Sequence, residues 1–448
     1  MTIPKPIMLV RAFLPFAALL LLAAPRPASG ATADPGVLVL DHPGINVTDQ
    51  PAFGSRRIII KNGAILRLGS RSKQAAGGDL ITNDIEINRG IIEAAAGNPH
   101  FTGDVTIGPG GATLITHSKG HDMSFDSDIT GAGPLFIDND SSGTGGTVRF
   151  TNDFSLMGTV TLNGVSPGYS GGRIYLGDPD ALNQATLVAI AGMRGIDFDP
   201  EIKMFSFGGI TGDANIDIKG KILRVGVANT DLVYSGNLTD SVGGGGLIKS
   251  GSGTMTLRGR QRAITTMTVS FGALLIAGSV DGEIKVGDPR NPLARAVLSG
   301  TGSIGDILLQ TPGAVVQPGM GGNSTGILNA RNFSMIPGSN LSIRIGGKLP
   351  GGAASHGYDQ VRASGQLSLY GNLDLSIIGG FQPKPGDAFY IIATDNAAPV
   401  LGRFTNIISN ELTVAGHRFR INYSADSARG DPGSTTGHDI ALIALAGG

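Results

Sequence analysis

The chain of 448 residues has 71 glycines, 24 prolines and no cysteine or tryptophan, and 41% of it is hydrophobic against 15% charged. This hydrophobic content excludes an intrinsically disordered chain, and glycines that do not recur at every third position exclude collagen. The formal net charge of −1 argues against a nucleic acid or an anionic membrane as partner, because both require a concentrated basic surface.

Residues 1–33 have the organisation of a secretory signal peptide. Lys5 and Arg11 supply the charged start, the apolar run FLPFAALLLLAA follows, and Ala31-Thr32-Ala33 gives a cleavage signal of small residues. The run is too short for a membrane-spanning helix, and no later stretch reaches the roughly 18 apolar residues that such a helix needs. We expect an exported protein with no transmembrane segment after signal cleavage.

Residues 34–345 contain a repeat centred on glycine. In each copy, two apolar residues at alternating positions are followed by glycine and a second apolar pair. The glycines of the five copies are Gly63, Gly90, Gly110, Gly272 and, in a looser copy, Gly313. The alternation predicts strands, the glycines predict corners, and their separations indicate a unit of about 20–27 residues. We therefore predict an all-β solenoid of about 14 coils with parallel pairing between coils and a core of small aliphatic side chains.

The motif HSKGHD, His117 to Asp122, places two imidazoles four residues apart beside a carboxylate. On a helix this spacing would align both histidines on one face for zinc. Gly120 and the strand-like sequence on both sides predict a loop, in which the spacing aligns nothing. An exposed loop is the favoured interpretation, and a metal site is the alternative.

The motif DNDSSG matches the first half of a calcium-binding loop, with Asp138, Asp140 and Gly143 at its first, third and sixth positions. The twelfth position, where such a loop has a bidentate glutamate, is Arg149. A cation there would meet a positive charge. The sequence favours turn-forming residues, with weak calcium binding as the alternative.

Two G-x-S-x-G matches, GYSGG around Ser170 and GNSTG around Ser324, have the pattern of a nucleophile elbow. Neither lies at a strand-to-helix turn, so we predict that both serines lie in turns.

GTGSIG, residues 300–305, fits the dinucleotide fingerprint, but no helix opens there and no acid follows Asp306 until Asp359. We predict a corner between strands at this motif, and likewise at the four-glycine run 243–246.

The motif DFDPE places Asp197, Asp199 and Glu201 at strand alternation. Three carboxylates on one face would raise one another's pKa, as polysaccharide-cleaving enzymes require of clustered acids. Pro200 disfavours a strand at this point. A solvated loop is the favoured interpretation, and a catalytic cluster is the alternative.

The motif RGRQR carries Arg258, Arg260 and Arg262. Such a cluster can hold sulfated or acidic glycans through bidentate hydrogen bonds. The simpler interpretation is a solubilising loop.

The stretch GGGGLIKSGSGTMTLRG resembles the autotransporter-associated β-strand repeat, although Met255 replaces one leucine of the family pattern. The matching residues are Gly246, Leu247, Lys249, Gly251, Gly253, Thr254 and Leu257. MTVSFGALLIAG and AVLSGTGSIGDILLQTPGAVVQPG are similar to the coils that follow in the family. From Gly357, GYDQVRASGQLSLYGNLDLSIIGG is similar to the segment that closes such passengers, so the match covers about residues 233–445.

This resemblance implies a right-handed parallel β-helix of the pectin-lyase-like kind, with residues 346–448 as a β-rich closing module. It also implies export to the periplasm, the cell surface or the surroundings of a Gram-negative-type bacterium. The sequence departs from the family because it has no tract of amphipathic strands for a C-terminal translocator barrel. We therefore do not expect self-export.

The sequence predicts no catalytic, cofactor-binding or metal-binding residue and no cofactor. We expect a non-catalytic, adhesin-like structural protein that presents loops on a rigid solenoid for multivalent binding. Cell-surface or extracellular glycans are the expected partners. The alternative is a polysaccharide lyase or hydrolase on the same fold.

Overall fold

A computed structural model describes residues 36–48, 53–68, 80–95, 97–117, 121–140, 146–152, 154–162, 169–262, 264–352, 356–395 and 399–446. The signal peptide predicted for residues 1–33 lies outside these ranges. The described residues form strands, turns and bends without any helix, so the predicted all-β class is confirmed. None of them belongs to a helix long and apolar enough to cross a membrane.

The strands are short, and most contain two to six residues. In chain order they are β1 Val37–Leu40, β2 Gly44–Thr48, β3 Arg57–Lys61, β4 Ala64–Leu68, β5 Leu80–Ile81, β6 Ile85–Asn88, β7 Gly90–Ala94, β8 His100–Phe101, β9 Val105–Ile107, β10 Ala112–Thr116, β11 Met123–Phe125, β12 Ile129–Gly131, β13 Leu135–Asp140, β14 Val148–Phe150, β15 Thr159–Leu162, β16 Tyr169–Gly171, β17 Arg173–Leu176, β18 Leu182–Ala189, β19 Gly195–Phe198, β20 Met204–Gly212, β21 Ile216–Asp217, β22 Ile222–Val225, β23 Leu232–Tyr234, β24 Leu238–Thr239, β25 Gly246–Lys249, β26 Thr254–Leu257, β27 Arg260–Gln261, β28 Thr266–Val269, β29 Gly272–Ile276, β30 Ser279–Val286, β31 Ala296–Gly300, β32 Ser303–Leu309, β33 Ala314–Pro318, β34 Ile327–Met335, β35 Asn340–Ile345, β36 Leu349–Pro350, β37 Gly357–Tyr358, β38 Gln360–Ala363, β39 Leu367–Leu369, β40 Asn372–Ile377, β41 Ala388–Thr394, β42 Leu401–Gly402, β43 Glu411–Val414, β44 His417–Ala425 and β45 Asp439–Ala444.

The longest ladder of the described part contains fifteen strands, and each adjacent pair is parallel. Its order is β2-β4-β7-β10-β13-β15-β18-β20-β23-β26-β29-β31-β33-β35-β40. Neighbouring strands lie 18 to 32 residues apart in the chain, since Leu298 pairs with Val316 and Leu341 pairs with Leu373. The predicted parallel pairing between successive repeats is therefore confirmed.

Two further ladders run through the first half of the chain. One is β1-β3-β6-β9-β12 and the other is β5-β8-β11-β14-β17-β19. From β3 to β14 the chain passes four times through these two ladders and the long ladder in the same order, so each round adds one strand to each. After β20, the parallel ladder β22-β25-β28-β30-β32-β34 accompanies the long one.

In most of the described strands, alternate residues face a common apolar core. In β3, Ile58 and Ile60 are fully buried, as the period-two pattern predicts. The core is not purely aliphatic, because Phe101, Phe125 and Phe150 occupy adjacent positions of one ladder. Their ring centroids lie 4.6 and 6.2 Å apart. This column of aromatic rings was not predicted.

The glycine register predicted from the repeat is wrong by one residue at Gly90. Gly90 pairs with Ala112 inside a strand, whereas the corner residue level with Gly63 is Arg89. The amide of Gly63 donates to the carbonyl of Arg89 at 2.6 Å, and both residues have a positive φ, 81° and 59°. An arginine thus occupies a left-handed corner position that the sequence pattern reserves for glycine.

The same kind of shift affects the last repeat copy. Gly272 pairs with Ala296, and Ala296 pairs with Ala314, so Gly313 precedes the equivalent position by one residue. The separation of 41 residues between Gly272 and Gly313 therefore contains two rounds, as expected.

Lys249 is a charged residue whose side chain lies in the core. It pairs between Val225 and Val269, and its Nζ donates to the carbonyls of Ser250 at 2.6 Å, Gly251 at 2.9 Å and Phe271 at 3.2 Å. These three acceptors use all three donors of the ammonium group. Lys249 therefore links the corner at residues 250–251 to the neighbouring round.

Burial lowers the pKa of Lys249 to about 8, against 10.5 for an ordinary lysine, with a smaller opposing effect of Asp231. Between these two pH values the unfolded chain binds the proton that the folded chain releases, so the stability contributed by this group rises with pH. We expect the free energy of unfolding of the wild type to rise from pH 8 to pH 10 relative to that of Lys249→Met. Urea unfolding at several pH values measures this difference. Lys285→Met, at a partly exposed position, is the control and should follow the wild type; parallel curves for wild type and Lys249→Met would contradict the prediction.

The strand pattern changes near the end of the chain. β41 pairs in parallel with β38, but it pairs antiparallel with β45, and β45 and β43 both pair antiparallel with β44. A buried ion pair joins β35 to the segment between β37 and β38, and so connects residues 34–345 to residues 346–448. Nε of Arg344, in β35, donates to Oδ2 of Asp359 at 2.7 Å, and the two side chains are 5% and 0% exposed.

Candidate functional site

Residues of HSKGHD and DFDPE, two motifs that are distant in the sequence, form one group with Arg149 on the outer side of the ladder formed by β11, β14, β17 and β19. We call this group the polar stripe. Its members are Asp122, Arg149, Arg173, Tyr175, Asp197, Asp199 and Lys219.

The first half of the polar stripe is a chain of contacts through Arg149. Nε of Arg149 donates to Oδ2 of Asp122 at 2.8 Å, and its guanidinium lies 4.8 Å from the centroid of the Tyr175 ring. The hydroxyl of Tyr175 donates to Oδ2 of Asp199 at 2.9 Å. The parallel register causes this meeting, because Arg149 and Tyr175 are paired residues of β14 and β17.

The second half of the polar stripe is centred on Asp197. Arg173 Nε donates to Oδ2 of this carboxylate at 2.5 Å, and Lys219 Nζ donates to Oδ1 at 2.6 Å. Asp197 lies in β19, so the solvated loop predicted for DFDPE is wrong at this residue.

The pKa values of Asp197 and Asp199 are lowered, whereas mutual repulsion in an acidic cluster would raise them. Although burial opposes it, Arg173 and Lys219 hold the pKa of Asp197 below its ordinary value. The amide of Glu201, followed by the hydroxyl of Tyr175, holds the pKa of Asp199 below its ordinary value. Neither group is suited to be a general acid, which needs a raised pKa.

The residues of HSKGHD have separate partners. His117 Nε2 contacts Oε1 of Glu93, His121 Nδ1 lies 3.1 Å from the carbonyl of Gly97, and Asp122 belongs to the polar stripe. Residues 118–120 are outside the described ranges. Within those ranges no three His, Cys, Asp or Glu side chains are grouped to hold a metal ion.

The residues of DNDSSG end a strand, and the turn predicted at Asp138 and Asp140 is wrong. Both lie in β13, whereas 141–143 are outside the described residues. Asp138 is 4% exposed, its Oδ1 has no hydrogen-bond partner among the described residues, and burial raises its pKa to about 6. Arg149, at the position of the missing calcium ligand, is bound to Asp122.

The two serine motifs differ from each other. Ser324 closes a turn in which its amide donates to the carbonyl of Gly321 at 3.2 Å, as predicted. Ser170 lies in β16, which pairs antiparallel with β13, so the predicted turn is wrong there. In GTGSIG, Gly300 ends β31 and Ser303 begins β32, so a bend joins two strands.

The four-glycine run binds a carboxylate of its own chain. Asp240 accepts hydrogen bonds from the amides of Gly220 at 2.6 Å, Val242 at 3.2 Å, Gly243 at 2.9 Å and Gly245 at 2.7 Å. Although burial opposes it, these donors hold the pKa of Asp240 below its ordinary value. The amides that would surround a phosphate in a nucleotide-binding loop are thus already occupied.

The three arginines of RGRQR are exposed at one corner, and we call them the arginine corner. Arg258 follows β26, Gly259 forms the bend, Arg260 lies in β27 and Arg262 follows it. Arg260 donates to both carboxylate oxygens of Asp281, at 3.3 and 3.2 Å.

No protein-family model matches the chain, and a search of the curated proteins finds no match. The function is therefore argued from the residues. Sequence reasoning missed Arg173, Tyr175 and Lys219, because only the parallel register brings them to the residues of the other motifs.

Proposed function

We propose that the chain is a right-handed parallel β-helix that acts as a non-catalytic, surface-exposed scaffold for multivalent binding. The fifteen-strand parallel ladder carries this proposal, together with the fixed order in which the chain visits its ladders. The right hand follows from the strong preference of parallel crossover connections for that hand. Strands spaced by about 4.8 Å give the ladder a length of roughly 65 Å.

Residues 346–448 are proposed to close the end of this β-helix. An open end would present unpaired strand edges, which invite association with other chains. The antiparallel pairing of β41, β44 and β45 turns the chain back on itself at this end and supports that role.

The electrostatics of the polar stripe support a non-catalytic role. Asp197 and Asp199 are bound to cations and hydrogen-bond donors, and their pKa values are lowered. A polysaccharide hydrolase needs one carboxyl group that stays protonated.

Extracellular or cell-surface glycans are the proposed partners, and export across the inner membrane of a Gram-negative-type bacterium is the proposed route. The resemblance of residues 233–445 to autotransporter-associated repeats supports both. Many weak contacts along a rigid rod gain avidity because each first contact raises the effective concentration of the next.

The test is to incubate residues 34–448 with a panel of acidic and neutral polysaccharides and to measure new reducing ends and glycan binding in parallel. We expect binding without cleavage, and small-angle scattering on the same preparation should give a rod. If cleavage occurs and Asp199→Asn abolishes it, the non-catalytic proposal is wrong. Cleavage that Asp199→Asn leaves unchanged would refute it equally and would place the chemistry at residues other than Asp199.

A further inference from the structure

The arginine corner differs from the other charged groups described above because most of its charge is uncompensated. In the polar stripe each cation is bound to a carboxylate. In the arginine corner, Arg260 alone has such a partner among the described residues, and that partner is Asp281.

The backbone that carries the three arginines is held in place by a buried amide side chain. Gln261 is 0% exposed; its Oε1 accepts from the amide of Leu238 at 2.7 Å, and its Nε2 donates to the carbonyl of Gly236 at 3.4 Å. Because Gln261 points inward, strand alternation directs Arg260 and Arg262 outward. This anchoring reduces the ordering cost of binding.

Small residues flank the arginine corner on both neighbouring rounds. The round before carries Ser235, Gly236 and Asn237, and the round after carries Ala277, Gly278 and Ser279. The guanidinium groups therefore rise above a low surface on which an extended chain can lie. The hydroxyl groups of Ser235 and Ser279 beside them can bond to sugar hydroxyls.

We propose that the arginine corner binds an acidic polysaccharide through its sulfate or carboxylate groups. Guanidinium groups form paired, charge-assisted hydrogen bonds with such oxygens. This inference rests on the proposed function, because it names the class of glycan that the scaffold would bind. Asp281 competes with the ligand for Arg260, so Arg258 and Arg262 supply most of the affinity.

The experiment measures the affinity of residues 34–448 for immobilised heparin, for hyaluronan and for neutral dextran. Arg258→Ala with Arg262→Ala should weaken binding of the acidic polymer by at least about tenfold. The matched control is Arg194→Ala with Arg290→Ala, which removes the same charge from exposed arginines elsewhere that form no side-chain ion pair with a described residue. The control should bind as the wild type does.

A further variant, Asp281→Asn, tests for a gain in affinity for the acidic polymer. It should release Arg260 and tighten binding by roughly threefold, while Arg258→Lys with Arg262→Lys should lose part of the affinity because lysine cannot form the bidentate contact. Heparin binding without hyaluronan binding would assign the site to sulfate, and binding of both polymers would show that carboxylate groups suffice. Equal binding of dextran or duplex DNA, or an equal loss in the control variant, would overturn the proposal. Cleavage of a bound polymer would refute the proposed function while leaving the dependence on the arginine corner intact.

Discussion

Asp359→Ala is expected to lower the free energy of unfolding by about 3–5 kcal/mol, because it leaves a charged guanidinium buried without its partner. Arg344 is bound to Asp359 through Nε at 2.7 Å and Nη2 at 3.2 Å, and its remaining donors are directed at the backbone carbonyls of Pro318, Gly322 and Ser324. Asp359 also accepts the amides of Gly326 at 2.9 Å and of Arg344 at 3.0 Å. Removing the carboxylate therefore leaves the guanidinium of Arg344 and two buried backbone amides without their hydrogen-bond acceptor.

Urea unfolding followed by circular dichroism measures the loss, and Arg331→Ala is the matched control. Arg331 and Asp306 form the same bidentate pair, at 2.9 and 2.5 Å, but on the surface. Exposed pairs contribute little, so this variant should unfold close to the wild type. The double variant Arg344→Met with Asp359→Leu should be more stable than Asp359→Ala, because no buried charge is then left alone. If Asp359→Ala is as stable as Arg331→Ala, the Arg344–Asp359 pair does not hold β35 to the segment between β37 and β38.

The strands and their buried faces could be predicted from the sequence, because the alternation of apolar and polar residues depends only on residues that are close in the chain. Alternation in RIIIK placed Ile58 and Ile60 in the core, because side chains along a strand alternate between faces. Corner positions were predicted less well, since Arg89 adopts the positive φ that was assigned to glycine.

The meeting of distant residues could not be predicted, because it depends on the length of each round. Paired strands of the ladder that holds Arg149 and Tyr175 lie 20 to 26 residues apart in the chain, so no fixed repeat places these two residues side by side. For the same reason HSKGHD, DNDSSG and DFDPE were each interpreted alone, although Asp122, Arg149 and Asp199 belong to one group of contacts. The parallel register is the missing information, and a residue's function here depends on the rounds before and after it.

Gly251→Ala is expected to destabilise the protein by more than about 3 kcal/mol. Gly251 has a φ of 72°, which costs an alanine about 1–2 kcal/mol. A Cβ there would also lie 1.8 Å from the carbonyl oxygen of Gly226, in the preceding round. The carbonyl of Gly251 accepts a hydrogen bond from Lys249, so a shift of this corner also disturbs the buried ammonium.

Gly244→Ala is the matched control for the same denaturation experiment. Gly244 has a φ of 78°, but a Cβ there would meet nothing within 4 Å. This variant should therefore lose only the backbone term of about 1–2 kcal/mol, and the difference between the two variants measures how closely successive rounds pack at the corner. Equal losses would mean that the backbone of Gly226 moves aside without cost. That outcome would contradict a rigid scaffold, because the spacing of the strands fixes the distance between rounds throughout the long ladder.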